Sequence, residues 1–152
     1  MKKYNVIDLF SGCGGLLDGF LQTERFEHIA SVDWEKAPLN TLRNRLEKKW
    51  GYVNNQNSVI HFDIQRFEEL IGGYDDIKYG LHVGLDAVID NKSVDLIIGG
   101  PPCQSYSVAG RIRDRDQMKF DYRNYLFEYY LKIVNHYRPK YFLFENVPGM
   151  LS

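Results

Sequence analysis

The side chains best suited to chemistry stand at the ends of apolar runs. Val94-Asp95-Leu96-Ile97-Ile98 leads into Gly99-Gly100-Pro101-Pro102-Cys103-Gln104. Two prolines remove backbone freedom immediately before the thiol, so Cys103 is held in place at the mouth of a strand. A structural cysteine normally sits inside an apolar element, whereas this one stands between a rigid strand and a polar segment, the setting of a nucleophile. Glu145 ends a second apolar run, Tyr141-Phe142-Leu143-Phe144. Such surroundings can raise a carboxyl pKa and let the group donate as well as accept. Taken without the cysteine, the same residue reads as an exposed carboxylate after a strand.

A glycine turn forms the third feature. Ser11-Gly12-Cys13-Gly14-Gly15 follows Asn5-Val6-Ile7-Asp8-Leu9-Phe10, where glycines let a ligand approach the backbone and helix N-terminal amides can donate to it. Nucleotide-like ligands are the usual occupants. The dinucleotide fingerprint needs a third glycine at position 17, which is leucine, so binding of a nicotinamide dinucleotide is not provided for. Asp33, about 20 positions further on at the end of the next apolar run, is placed to accept from ribose hydroxyls. Trp34 offers a flat face to an adenine or serves as ordinary core. Asp63, after Val59-Ile60-His61-Phe62, either accepts from an exocyclic amine or caps a turn or helix. Cys13 lacks the proline frame and reads as a small filler among the glycines. Two distant cysteines without paired histidines make no metal site.

Alternating strands and helices must position these groups. Strands are expected at 5–10, 29–32, 59–62, 94–98 and 141–144. Helices are expected from Leu16 to about Leu21, around Leu39, Leu42 and Leu46 with Pro38 in the first turn, and over Leu126–Tyr137, closed by Arg138-Pro139. Glycines 72, 73, 80 and 84 interrupt the periodicity of residues 67–93, where short helical pieces and loops are expected. Gln104 to about Asp121 reads as a long polar loop. This alternation predicts an α/β fold, a mostly parallel sheet with helices on both faces, whose ligands bind beyond the carboxyl ends of the strands.

Composition limits the function classes. The 152 residues suit one domain. With 44% hydrophobic and 26% charged residues, and no apolar stretch near the ~20 residues of a membrane span, the chain reads as an ordinary soluble protein. The absence of a signal-peptide pattern and the low cysteine content place it in the cytoplasm. A net charge of -1 argues against a free-standing nucleic-acid binder. Arg111, Arg113, Arg115, Lys119 and Arg123 form a local basic cluster, diluted by Asp114, Asp116 and Asp121.

Together, Asp8-Leu9-Phe10-Ser11-Gly12-Cys13-Gly14-Gly15, Gly100-Pro101-Pro102-Cys103-Gln104-Ser105-Tyr106-Ser107 and Glu145-Asn146-Val147 resemble the ordered motifs of the DNA (cytosine-5)-methyltransferases, across essentially the whole chain. The resemblance implies a Rossmann-like fold that binds S-adenosylmethionine as methyl donor. It places Phe10 and Trp34 against the adenine, Asp33 on the ribose and Asp63 with Ile64 near the adenine amine. Gly12, Gly14 and Pro102 would adjoin the rest of the donor. It implies that Cys103 adds to C6 of a cytosine flipped from DNA, activating C5, while Glu145 holds the N3 side of the base. Gln104, Ser107 and Arg123 would contact the nucleic-acid substrate, Arg123 at a phosphate, and the loop from Gln104 to Asp121 would close over the site.

Several of the family's elements are absent. A Gln-x-Arg-x-Arg segment, a target-recognition domain and a final helix that packs near the glycine turn are missing. The expectation is a partial catalytic domain over 1–152: a truncated chain, a proteolytic fragment or one subunit of a split enzyme, with an uncovered sheet edge and weak DNA binding alone. It would be inactive alone and belong to a restriction-modification system. A tRNA-modifying member of the same family, a non-catalytic donor-binding subunit and a Rossmann-type oxidoreductase stay open as alternatives.

Overall fold

The computed structural model describes residues 2–101 and 125–146. Along the chain these form β1 (Tyr4–Leu9), α1 (Gly15–Leu21), β2 (Phe26–Asp33), α2 (Lys36–Trp50), β3 (Val59–His61), α3 (Phe67–Gly72), β4 (Tyr74–Asp76), β5 (Gly80–His82), α4 (Leu85–Ile89), β6 (Leu96–Gly99), α5 (Leu126–Tyr137) and β7 (Tyr141–Phe144). Five strands make one sheet in the order β3-β2-β1-β6-β7, and every neighbouring pair is parallel. The expected α/β architecture is therefore present.

Side-chain alternation divides the core between the two faces of the sheet. Val6, Leu96 and Ile98 pack with Leu17 and Leu21 of α1 and Leu39, Leu42 and Leu46 of α2. Ile7, Leu9 and Ile97 point the other way, toward Leu70 of α3, Leu85 and Ile89 of α4, and Leu126, Tyr130 and Ile133 of α5. Tyr130 is fully buried, and its hydroxyl lies 3.0 Å from the carbonyl oxygens of both Ile97 and Leu143. It thereby fastens α5 across β6 and β7. At the other end of the sheet, the buried Asp95 carboxylate accepts from Asn5 N at 3.0 Å and Lys140 Nζ at 2.6 Å, aligning the starts of β1, β6 and β7.

Residues 67–93 contain the expected short helices, but also an antiparallel hairpin of β4 and β5 that the sequence reading lacked. Its stability comes from partners distant in sequence. Tyr74 stacks on Phe62 with centroids 3.8 Å apart, and His82 stacks on Tyr74 at 5.4 Å. Asp76 Oδ1 accepts from the backbone N–H groups of Lys78 and Tyr79, which closes the turn. Arg66 bonds Asp76 at 2.7 Å and lies over the Phe62 ring, tying the hairpin to the segment after β3.

Strand order changes direction between β1 and β6: β2 and β3 extend to one side of β1, β6 and β7 to the other. Such a switch opens a crevice at the carboxyl ends of the strands. Here it sets the glycine turn after β1 beside the start of the Gly100-Pro101 segment after β6.

Candidate active site

The first wall of the site is a strained turn. Phe10 adopts φ 56°, a left-handed conformation that an aromatic residue rarely takes. Ser11 N donates to Val32 O at 3.2 Å, and Gly12 N to Asp33 Oδ2 at 2.8 Å. The end of β2 thus grips the turn from below. Asp33 Oδ1 accepts from Glu35 N at 2.8 Å, which fixes the carboxylate from both sides while leaving each oxygen a further lone pair.

The glycines do different work. Gly12 has φ 51°, and a Cβ built there meets nothing within 4 Å, so the space beside it is open to a ligand. Gly14 also has positive φ, but a Cβ there would run into the Leu42 side chain of α2. Its amide is taken by Ser11 O at 2.8 Å. Its missing side chain therefore serves the packing of α1 on α2. Cys13, read as a filler, is instead exposed, because the turn directs the residue between the two glycines outward.

Phe10, Asp33, Trp34, Asp63 and Ile64, drawn from three separate chain segments, line one cleft at the ends of β1, β2 and β3. Val32, Phe62, Gln65 and Leu126 complete it. Local sequence does not single out these four. Val32, Phe62 and Leu126 carry the same apolar signal as core residues, and nothing in local sequence marks Gln65. The cleft is aromatic and aliphatic on its faces, with polar groups at its margins, the form of a site for a flat heterocycle. His61 Nε2 lies 3.0 Å from Trp34 O, and Phe62 N donates to Asp33 O at 3.0 Å, so β3 and the Trp34 backbone are fixed together. Asp63 Oδ1 accepts from Gln65 N at 3.0 Å. The turn-capping and ligand-facing readings of Asp63 are compatible, since its other oxygen has no hydrogen bond among the described residues.

Across the crevice, Glu145 follows β7, and its N–H donates to Gly99 O at 2.9 Å. Its carboxylate lies against Gly100: a Cβ at position 100 would be 2.6 Å from Glu145 Oε2. The apolar surroundings expected for Glu145 are not supplied by its own strand. Glu145 is exposed, as are Tyr141, Phe142 and Leu143, because β7 pairs only with β6 among the described residues and forms an edge of the sheet. Pro102, Cys103, Gln104, Ser107 and Arg123, with the expected loop from Gln104 to Asp121, lie outside the described residues.

One further carboxyl adjoins the site. Asp8 is 2% exposed, and its Oδ2 has no hydrogen-bond partner. Burial first, and the nearby Asp33 charge second, hold its carboxyl well above the ordinary carboxylate range. The centre of β1 therefore carries a neutral acid over a wider pH range than an exposed aspartate would.

Comparison with known proteins gives a consistent answer. The family model for C-5 cytosine-specific DNA methylase matches residues 4–152. Type II methyltransferase M.Bpa9945I of Bacillus paralicheniformis is 37% identical over 97% of this chain and 41% of its own length. Type II methyltransferase M.NgoPII of Neisseria gonorrhoeae is 36% identical over 97% of this chain and 34% of its own length. Among solved structures, the Entamoeba histolytica methyltransferase EhMeth shares the fold with TM-score 0.60 at 18% identity, over 99% of this chain and 40% of that one. The chain thus spans less than half the length of these relatives.

Proposed function

The chain belongs to the C-5 cytosine-specific DNA methylase family, and we propose that it is the nucleophile-bearing and donor-binding portion of a DNA (cytosine-5)-methyltransferase of restriction-modification type, working in the cytoplasm. The observation that carries this reading is the convergence of Phe10, Asp33, Trp34, Asp63 and Ile64 on one cleft, beside the strand that leads to Cys103. The lining of that cleft supports the adenosyl part of S-adenosylmethionine as its ligand. Its apolar walls suit an adenine, Asp33 a ribose and Asp63 an exocyclic amine, while the open space at Gly12 suits the methionine part. Gly14 would shape the turn, and Pro102 would adjoin the donor's far end. The bound donor would supply an electrophilic methyl group.

The chain's own residues then account for activation of the substrate. The Cys103 thiolate adds to C6 of a cytosine turned out of the duplex, and the electron pair displaced from the C5–C6 double bond makes C5 nucleophilic. Glu145 holds the N3 side of the ring and stabilises the charge that develops there. Gly100 supports this role, because the absent side chain leaves the Glu145 carboxylate its place above the start of the cysteine segment. Loss of the C5 proton with elimination of the thiolate restores Cys103. Gln104, Ser107 and Arg123 would contact the nucleic acid, and target choice would reside in a further portion or second subunit.

Covalent trapping tests this reading. With the remaining portion of the enzyme supplied, DNA containing 5-fluorocytosine is expected to give a denaturation-stable adduct that Cys103→Ser abolishes. No adduct with the unaltered protein, or an adduct on RNA in place of DNA, would overturn it.

A further inference from the structure

The glycine turn is gripped at four consecutive residues, each by a different residue of β2 or α2. Ser11 N and Gly12 N donate to Val32 O and Asp33 Oδ2, and Gly14 gives its space to Leu42. The remaining grip is on Cys13, whose carbonyl oxygen accepts from Arg45 Nη1 of α2 at 3.1 Å. Arg45 does not line the cleft. It reaches the turn from outside.

That bond decides how one peptide lies. The Cys13–Gly14 peptide is held at both ends, its carbonyl by Arg45 and its N–H, that of Gly14, by Ser11 O at 2.8 Å. The preceding peptide, between Gly12 and Cys13, borders the open space at Gly12. With glycine at 12, 14 and 15, the turn has little stiffness of its own, so an external bond has leverage over it. Arg45 can supply that bond because α2 is itself anchored. One turn before it Leu42 is buried, and one turn after it Lys49 Nζ and Trp50 Nε1 donate to Asp18 of α1 at 2.9 Å and 2.8 Å.

We propose that Arg45 is a positioning residue for donor binding: its guanidinium, bonded to the Cys13 carbonyl, orders the glycine turn in advance for the methionine part of the donor. A turn ordered beforehand spares the ligand the entropic cost of ordering it. The assignment rests on the adenosyl-donor reading above and adds to it a residue that acts through the turn. Arg45 has no part in the chemical step.

Two measurements on the full chain check it. In hydrogen exchange followed by NMR without ligand, Arg45→Met is expected to speed exchange of the Gly14 amide about three- to tenfold, the worth of one hydrogen bond, with the strands unchanged. In calorimetry the same variant is expected to weaken S-adenosylhomocysteine by a similar factor, and 5′-deoxyadenosine, which lacks the amino-acid part, much less. Arg45→Lys keeps one donor and is expected to restore most of both. Lys48→Met removes an exposed cation from the same helix and is expected to change neither. Unchanged Gly14 exchange in Arg45→Met, equal loss for the two ligands, no loss for either, or the same loss in Lys48→Met overturns the assignment while the adenosyl-donor reading stands. Failure of the unaltered chain to bind S-adenosylhomocysteine overturns both.

Discussion

The carboxylate of Glu145 lies against the backbone of Gly100, where a Cβ would be 2.6 Å from Oε2 but 3.5 Å from the Glu145 Cβ. Only the far end of a flexible side chain has to move to admit a methyl group. Gly100→Ala is therefore expected to change stability by less than about 1 kcal/mol, yet to lower the methylation rate of the complete enzyme at least about tenfold by displacing Glu145. Thermal melts alongside single-turnover methyl transfer check both halves. Full activity in a well-folded variant would show that Glu145 needs no such placement.

Gly12 and Gly14 should separate into a binding and a folding role. Gly14→Ala combines positive φ with a clash against Leu42, and is expected to cost about 2–4 kcal/mol in urea denaturation. Gly12→Ala meets open space and carries only the backbone strain, about 1 kcal/mol. It is expected to reduce donor affinity more than stability. Equal destabilisation by the two would contradict this division.

The buried His28 predicts acid sensitivity. Its Nε2 lies 2.9 Å from Ser31 Oγ and its Nδ1 has no partner, and burial pushes the imidazole down to about 4. Between pH 6.5 and about 4 the unfolded chain binds a proton that the folded chain refuses, so stability is full above 6.5 and falls as pH falls. Asp8 acts oppositely. Its raised pKa means the folded state keeps a proton that the unfolded state releases above the ordinary carboxylate range, so its contribution declines as pH rises. Denaturation at stepped pH is expected to show His28→Gln losing up to about 3 kcal/mol of the acid-side slope. Asp8→Asn should remove the opposing decline that sets in as pH rises above the ordinary carboxylate range. Parallel pH profiles for the unaltered protein and His28→Gln would rule out a neutral buried imidazole.

Leu126 joins the core and the cleft. It is 5% exposed, packs with Tyr130 and Ile133, and lines the wall beside Ile64. Leu126→Ala is expected to cost about 2–4 kcal/mol and to weaken donor binding at temperatures where the variant is still fully folded. Unimpaired binding there would confine Leu126 to the core.

Much of this was legible in local pattern. Strand ends carrying Asp33, Asp63 and Glu145 follow from apolar runs that stop at a polar residue, and α5 from apolar spacing over Leu126–Tyr137. The β4–β5 hairpin was not legible, because Tyr74, on which His82 stacks, is itself ordered by Phe62, a stacking partner outside the segment. The exposure of Glu145 was hidden for a related reason. An aromatic run looks the same in a central strand as in an edge strand, and only pairing distinguishes them.

The sequence by itself determined the kinds of elements, the polar residues that end them and the family to which their order belongs. These depend on short-range sterics and on which side chains avoid water. The tertiary structure decided that Asn5 and Asp95 meet across the sheet, that Gly14 yields its space to Leu42, and that Gln65 joins the cleft. Those outcomes depend on burial and pairing between segments far apart in the chain, and the pattern within a segment does not specify its partners.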